Sequence, residues 1–135
     1  MAKKSIRYLE FLTLAMINRE VVSLTNELHE YTGEDEKRLK ALVNEVEQRA
    51  NSEEFNEAII QKGSLLMYRI ATGQHFHEGN KRTALVAGSA FLQMNGHSID
   101  MKDSRLVSVI DKAGIAKASL NDVYEVVKKL IRNVN

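Results

Sequence analysis

Residues 74–83 read Gln-His-Phe-His-Glu-Gly-Asn-Lys-Arg-Thr, and a strongly apolar run follows them directly. Gly79 allows the backbone to turn tightly just before that run. Lys81 and Arg82 bring cationic donors to the start of the predicted helix, where free N–H groups already favour an anion. Glu78 supplies a carboxylate oxygen, the ligand type that a hard cation such as Mg²⁺ prefers. The stretch therefore predicts a site for the phosphates of a nucleotide.

The composition restricts the class of protein. A length of 135 residues fits one domain, and we expect a single domain over residues 1–135. The 19 Lys and Arg residues nearly balance 18 Asp and Glu, which gives no electrostatic reason to expect a nucleic-acid or membrane partner. The absence of cysteine excludes disulfides, a thiol nucleophile and a Cys-based zinc site. Without a long apolar run or a signal-type segment, we expect a cytoplasmic protein.

The chain has no proline, and its seven glycines stand mostly between periodic segments. These two features predict an all-α fold of six or seven helices without a convincing strand. Gly33, Gly73 and Gly114 are expected to stop helices, and Asn51-Ser52 and the pair Ser119/Asp122 to begin them. The predicted helices cover about residues 5–17, 19–31, 35–50, 53–71, 79–95, 103–113 and 119–133.

The predicted helix over about 79–95 is apolar around most of its circumference, from Ala84 to Met94. A helix of this kind is buried, so we expect a compact bundle arranged around it. The small residues Ala87, Gly88 and Ala90 would let neighbouring helices approach closely. Packing would hold the N-terminus of this helix rigidly, as a preorganised binding site requires.

This segment resembles the signature of the Fic/Doc (Fido) family, His-x-Phe-x-[Asp/Glu]-Gly-Asn-[Gly/Lys]-Arg at the start of a buried helix. The continuation Thr83-Ala84-Leu85 and the stop at Leu92 to Gly96 are similar to the Doc (death-on-curing) branch, in which Lys precedes Arg. The resemblance spans most of residues 19–96. The positions that match in register are Phe76, Glu78, Gly79, Asn80, Lys81 and Arg82.

The resemblance implies a compact helical fold and transfer of part of a nucleotide to a protein hydroxyl. Most members of the family transfer AMP, whereas Doc-like toxins transfer phosphate to an elongation factor. The implied cofactors are ATP, or another nucleotide, as the donor and Mg²⁺. The implied partners are a protein substrate that bears the hydroxyl and, for a toxin, an antitoxin.

The resemblance also implies a role for each matching residue. Glu78 would hold Mg²⁺, while the backbone N–H of Gly79 and the side-chain amide of Asn80 would bind phosphate oxygens. Arg82 would clamp a phosphate with two parallel hydrogen bonds. Lys81 would touch phosphate as a point charge.

One position departs from the family. Two residues before Phe76, which the resemblance makes an anchor buried in the core, the family has a His that takes the proton from the attacking hydroxyl. This chain has Gln74, whose amide does not titrate and cannot act as a general base. General-base catalysis contributes about 10²–10⁴ in rate, so the resemblance implies an impaired transferase. The alternative is a catalytically inactive domain that binds nucleotide or a partner protein.

Four further interpretations concern residues outside the matching positions. His75 and His77 flank the Phe and could replace the missing base or, with the adjacent Glu, bind a metal ion. Ser23-x-x-x-Glu27 has some likeness to the inhibitory motif of certain Fic proteins, although a plain i,i+4 pair on the surface of a helix explains it better. Residues 47–57 have no alternating pattern, so the β-hairpin flap that aligns the target in the family is expected to be absent or very short.

Overall fold

The computed structural model describes residues 5–23, 33–76 and 78–133. Its elements are α1 (Phe11–Ser23), α2 (Gly33–Gln48), α3 (Phe55–Thr72), α4 (Asn80–Met94), β1 (His97–Ser98), α5 (Ser104–Gly114), α6 (Leu120–Leu130) and β2 (Arg132–Asn133). The predicted all-α fold is confirmed, with six helices in the described part of the chain. No helix among these residues combines the length and the apolar character needed to cross a membrane.

The two short strands correct the expectation that no strand would form. β1 and β2 pair antiparallel, with His97 opposite Asn133 and Ser98 opposite Arg132. The last predicted helix therefore ends at Leu130 instead of continuing to residue 133. Strands of two residues are too short to produce an alternating pattern, so this pairing could not be predicted from the sequence.

The helix boundaries differ most at the N-terminal end of the chain. Residues 5–10 form no regular structure, and α1 runs without a break through the predicted boundary near residue 18. No glycine or proline interrupts this stretch, so the backbone hydrogen bonds continue. The predicted helix over 19–31 therefore contributes residues 19–23 to α1, and its remainder lies outside the described residues.

The predicted helix signals gave mixed results. Gly33 is the first residue of α2, and the end of the helix that it was predicted to stop lies outside the described residues. Gly73 caps α3 through an N–H bond to the carbonyl of Arg69 (2.7 Å), and Ser119 forms the predicted capping box with Asp122. The start of α3 was placed too early, since its N-cap is Glu54, whose carboxylate accepts from the first-turn N–H groups.

α3 and α4 form the centre of the molecule. α4 lies in the interior, with Ala84 and Ala87 fully buried, and α3 is buried more deeply still. The close contact predicted at Gly88 exists, because a Cβ there would lie 2.3 Å from Cγ of Met67. Gly63 on α3 also has no room for a side chain, since its Cβ would lie 2.8 Å from Cδ2 of Leu92. The N-terminus of α4 is thus held by a close-packed pair of helices.

Lys62 joins α2 to α3 in a way that the sequence did not predict. The residue is fully buried, and its Nζ donates to the carbonyls of Val46 (2.7 Å), Glu47 (3.0 Å) and Arg49 (2.8 Å). These bonds satisfy carbonyls that the end of a helix leaves without partners. Burial lowers the pKa of the Lys62 ammonium. The connection between α2 and α3, residues 49–54, contains no strand, in agreement with the expected absence or shortness of a β-hairpin flap.

Candidate functional site

A cavity of about 440 Å³ lies at the N-terminus of α4. It is bordered by the ends of α1, α3 and α5 and by Gln74, Glu78 and Gly79. These three belong to residues 74–79, here called the motif loop. The structure brings together in its wall every predicted site residue except Phe76. The lining residues are Val21, Val22, Ala71, Gln74, Glu78, Gly79, Asn80, Lys81, Arg82 and Gly114.

Gly79 is the N-cap of α4 and has a left-handed backbone, with φ 75° and ψ 19°. A Cβ at this position would also lie 3.0 Å from Cγ1 of Val21 and 3.1 Å from Cγ2 of Val22. No side chain caps the helix here. Among the described residues, the N–H groups of Asn80 to Arg82 have no intrahelical or side-chain acceptor, and these residues line the cavity. This arrangement attracts an anion.

Asn80 closes the motif loop. Its Oδ1 accepts from the backbone N–H of Phe76 (3.1 Å), and its Nδ2 donates to the carbonyl of Phe76 (2.9 Å). One N–H of the amide remains for another acceptor. The side chain that the resemblance assigned to phosphate therefore also determines the shape of the loop. Phe76 itself is half-buried and packs against the core.

Glu78 is half-buried and is the only carboxylate among the lining residues that the structure describes. Its backbone carbonyl accepts from Nδ2 of Asn18 on α1 (2.8 Å), and the same Nδ2 donates to Oγ1 of the buried Thr83 (3.1 Å). One carboxylate beside an anion site fits Mg²⁺, which usually takes one or two protein carboxylates together with phosphate oxygens and water.

The two cations of the motif differ in their surroundings. Lys81 is exposed and directed toward α5, where its Nζ lies 4.0 Å from Oδ1 of Asp111 and its stem packs against Gly114. Both side chains are about half exposed, so this ion pair is weak. Arg82 is exposed and has no ion-pair partner in the part of the chain that is described.

Gln74, the residue at which the chain departs from the signature it resembles, lines the cavity. Its φ of 53° is left-handed, which is uncommon for a residue other than glycine. Its carbonyl accepts a hydrogen bond from Nη2 of Arg38 on α2. The backbone of Gln74 is therefore held in place by a residue of another helix.

His75 does not lie at the base position. Its ring folds back over the end of α3, where a Cβ on Gly73 would lie 2.2 Å from Cε1 of the imidazole, and it is not part of the cavity wall. Burial lowers the pKa of His75, and the positive charge of Arg38 lowers it further. The interpretation that His75 replaces the missing base is therefore without geometric support.

The remaining alternatives involve residues outside the described part. His77, the second candidate base, is one of them, as is Glu27 of the inhibitory interpretation. Ser23 is the last residue of α1, and its hydroxyl donates to the carbonyl of Glu20 (2.7 Å). Within the described ranges, no three His, Cys, Asp or Glu side chains are grouped so that they could hold a metal ion.

Sequence reasoning missed the residues that reach the site from other helices. Asn18, Val21 and Val22 come from α1, Arg38 from α2 and Gly114 from the end of α5. None of them belongs to a local motif. No pattern along the chain could have identified them, because only the packing of the helices brings them to the loop.

Comparison with known proteins agrees with this geometry. A profile of the family described as Fic/DOC family matches residues 6–92, which is well over half of the chain. The match extends from the segment before α1 through most of α4, and it includes every cavity-lining residue except Gly114. No curated protein matches the chain.

Proposed function

The chain belongs to the Fic/DOC family, and we propose that it is a transferase that moves AMP or phosphate from a nucleotide to a protein hydroxyl. The observation that supports this function best is the grouping of Gln74 and Glu78 to Arg82 around one cavity at the uncapped start of α4. A volume of about 440 Å³ lies within the range of small-molecule sites.

In this proposal the donor is ATP or another nucleotide, and its phosphates lie against the first turn of α4. The backbone N–H groups from Gly79 onward and the free amide N–H of Asn80 donate to phosphate oxygens. Arg82 clamps a phosphate and stabilises the charge that develops there during transfer. Lys81 adds a positive charge at the rim.

Glu78 would hold Mg²⁺, which supplies charge neutralisation to the phosphates when it is bound. The residues of the chain bind the donor nucleotide and orient its phosphates. The target hydroxyl would approach from the side of Gln74, which can orient it by a hydrogen bond but cannot remove its proton. The proposed enzyme is therefore slow, by about 10²–10⁴ relative to a form with a general base.

A second function deserves testing because of the same residue. Gln74 lines the cavity, yet its amide does not titrate and His75 is turned away from it. These two observations favour a catalytically inactive domain that binds nucleotide or a partner protein. Both proposals share the phosphate site and differ only in whether transfer occurs.

The order Lys81-Arg82 supports the Doc branch, and with it a toxin-like role with an antitoxin as partner. The target would be a cytoplasmic protein with an accessible hydroxyl, and neither nucleic acid nor a membrane takes part. The whole chain would act as one Fic/Doc-like domain.

The test compares the native chain with Gln74→His in the presence of labelled ATP, Mg²⁺ and a cell extract. If Gln74→His modifies a protein about 10²-fold or more faster than the native chain, the native protein is an impaired transferase. If neither form modifies a protein but both bind ATP, the chain is a catalytically inactive domain that binds nucleotide.

Arg82→Ala is the negative variant for this experiment, and Arg105→Ala is its matched control. Arg105 is exposed on α5 and pairs with Asp103 (2.9 Å), and it does not line the cavity. Loss of ATP binding in Arg82→Ala alone supports the site. Equal ATP binding by the native chain and both Arg variants, or no binding by any of them, would contradict both functions.

A further inference from the structure

Asn18 on α1 contacts the chain on both sides of Gly79, at the end of the motif loop and in the first turn of α4. Its Nδ2 donates to the carbonyl of Glu78 (2.8 Å) and to Oγ1 of Thr83 (3.1 Å), so both N–H groups of the amide are used. The side chain lies directly beneath Gly79, because a Cβ there would be 3.5 Å from Nδ2. Asn18 is part of neither the signature nor the cavity wall.

The bond to Glu78 fixes the orientation of one peptide group. In a trans peptide the C=O and the N–H point in opposite directions. Because the carbonyl of Glu78 is directed toward Asn18, the N–H of Gly79 faces the other way. That N–H has no hydrogen-bond acceptor among the residues that the structure describes, and Gly79 lines the cavity.

The orientation of the Glu78–Gly79 peptide depends on the side chain of Asn18, and that of the next peptide does not. The carbonyl of Gly79 itself is held by the helix, since it accepts from the N–H of Thr83 (2.8 Å). The Glu78–Gly79 peptide has no helical hydrogen bond of this kind, and glycine adopts several backbone conformations at little cost. A rotation of this peptide would turn a carbonyl oxygen toward the anion in place of a donor.

We propose that Asn18 is a positioning residue that holds the Glu78–Gly79 peptide with its N–H toward the cavity, where it serves as the first donor to phosphate. This inference rests on the proposed function, because it assigns the N–H of Gly79 to the phosphate site. It adds to that function a residue on α1 that determines whether the start of α4 is competent to bind an anion.

The first test needs no ligand. In Asn18→Ala the Gly79 amide should exchange between two orientations, so its NMR signal should show relaxation dispersion on the microsecond to millisecond timescale, or double. The native chain and Asn44→Ala, which removes an exposed Asn on α2, should give one sharp signal. Asn18→Asp is the second variant, because it keeps the shape but cannot donate. A Gly79 signal in both Asn18 variants identical to that of the native chain would overturn the proposal.

The second test measures affinity for inorganic pyrophosphate with Mg²⁺ by calorimetry. Asn18→Ala and Asn18→Asp should bind about tenfold or more weakly than the native chain, since a hydrogen bond to a charged group is lost. Thr83→Val should bind more tightly than either Asn18 variant, because it leaves the bond to the Glu78 carbonyl in place. Native affinity in Asn18→Ala would overturn the proposal.

The two tests separate this inference from the function on which it rests. If the native chain does not bind pyrophosphate but Asn18→Ala shows exchange at Gly79, the phosphate site is wrong and the positioning by Asn18 stands. If the native chain binds and the Asn18 variants neither exchange nor lose affinity, the phosphate site stands and the role of Asn18 is wrong.

Discussion

Gly79 connects the motif loop to α4, and two independent features require a glycine there. Its φ of 75° is unfavourable for any side chain, and a Cβ would press on Val21 and Val22 at 3.0 and 3.1 Å. Left-handed backbone alone costs about 1 to 3 kcal/mol in a residue with a side chain. We expect Gly79→Ala to lower the free energy of unfolding by at least about that amount, as measured by denaturant unfolding.

Gly114→Ala is the matched control for this prediction. A Cβ at Gly114 would meet Cε of Lys81 at 2.8 Å, but that atom belongs to the far part of an exposed, flexible side chain that can move. Gly114 also lacks the positive φ of Gly79. A loss of stability in Gly114→Ala as large as that in Gly79→Ala would contradict the assignment of strain to the backbone of Gly79.

Single residues of the motif were predictable because they are contiguous. The spacing of Glu78, Gly79 and Arg82 predicted that they would meet at one helix terminus, and they line one cavity. The function of Asn80 was less predictable. Its amide bonds to both backbone groups of Phe76, and sequence alone cannot show that a polar side chain is already engaged.

At the level of helices, the end of α2 depends on a residue of α3. Lys62 donates to the carbonyls of Val46, Glu47 and Arg49. Lys62→Met keeps the length of the side chain but removes all three donors. We expect it to lower the free energy of unfolding by about 1 to 3 kcal/mol, because carbonyls lose their partners in a part-buried position.

Lys37→Met controls for the loss of a lysine, since Lys37 lies exposed on α2. Hydrogen exchange at the amides of the last turn of α2 would locate the effect. Faster exchange there in Lys62→Met, with the amides of α5 unchanged, is the expected pattern. If Lys62→Met is as stable as Lys37→Met, water replaces the ammonium as the donor to these carbonyls without lowering the free energy of unfolding.

Hydrophobic periodicity predicted where the helices lie, but it predicted their ends less well. α5 and α6 begin within one residue of their predicted starts, since capping residues mark them in the sequence. α1 was predicted to end near residue 17 but continues to Ser23. Its last turn supplies Val21 and Val22 to the cavity, so the error in its boundary concealed part of the site.

At the scale of the molecule, Glu45 connects α2 to α3 through charge. Its carboxylate accepts from Nε of Arg69 (3.0 and 3.1 Å) and from Nη1 of Arg49 (2.8 Å). Burial by itself would raise the pKa of Glu45, but the hydrogen bonds from Arg69 and Arg49 outweigh it and lower the pKa below its ordinary value of 4.5.

A carboxyl with a lowered pKa in the folded state makes stability depend on pH. The stabilisation is fully present above the ordinary value of 4.5, and it is lost as the pH falls through the folded value, because the unfolded chain binds the proton first. We expect Glu45→Gln to flatten the acid side of the stability curve, as measured by thermal unfolding at pH 6 and below. The same slope in Glu45→Gln and the native chain would assign the acid sensitivity to other carboxylates.

The sequence by itself determined the helical class, the interior position of α4 and the membership of residues 78–82 in one site. Hydrophobic period, glycine placement and motif spacing are local properties, so they can be read along the chain. Only the tertiary structure decided which helices complete that site. Asn18, Arg38 and Gly114 lie far from the motif in sequence and reach it because α1, α2 and α5 pack around the α3–α4 pair. The tertiary structure also places His75 away from the cavity and Gln74 at its wall. The direction of a side chain is set by backbone angles and packing, and it does not follow from the position of the residue in the sequence.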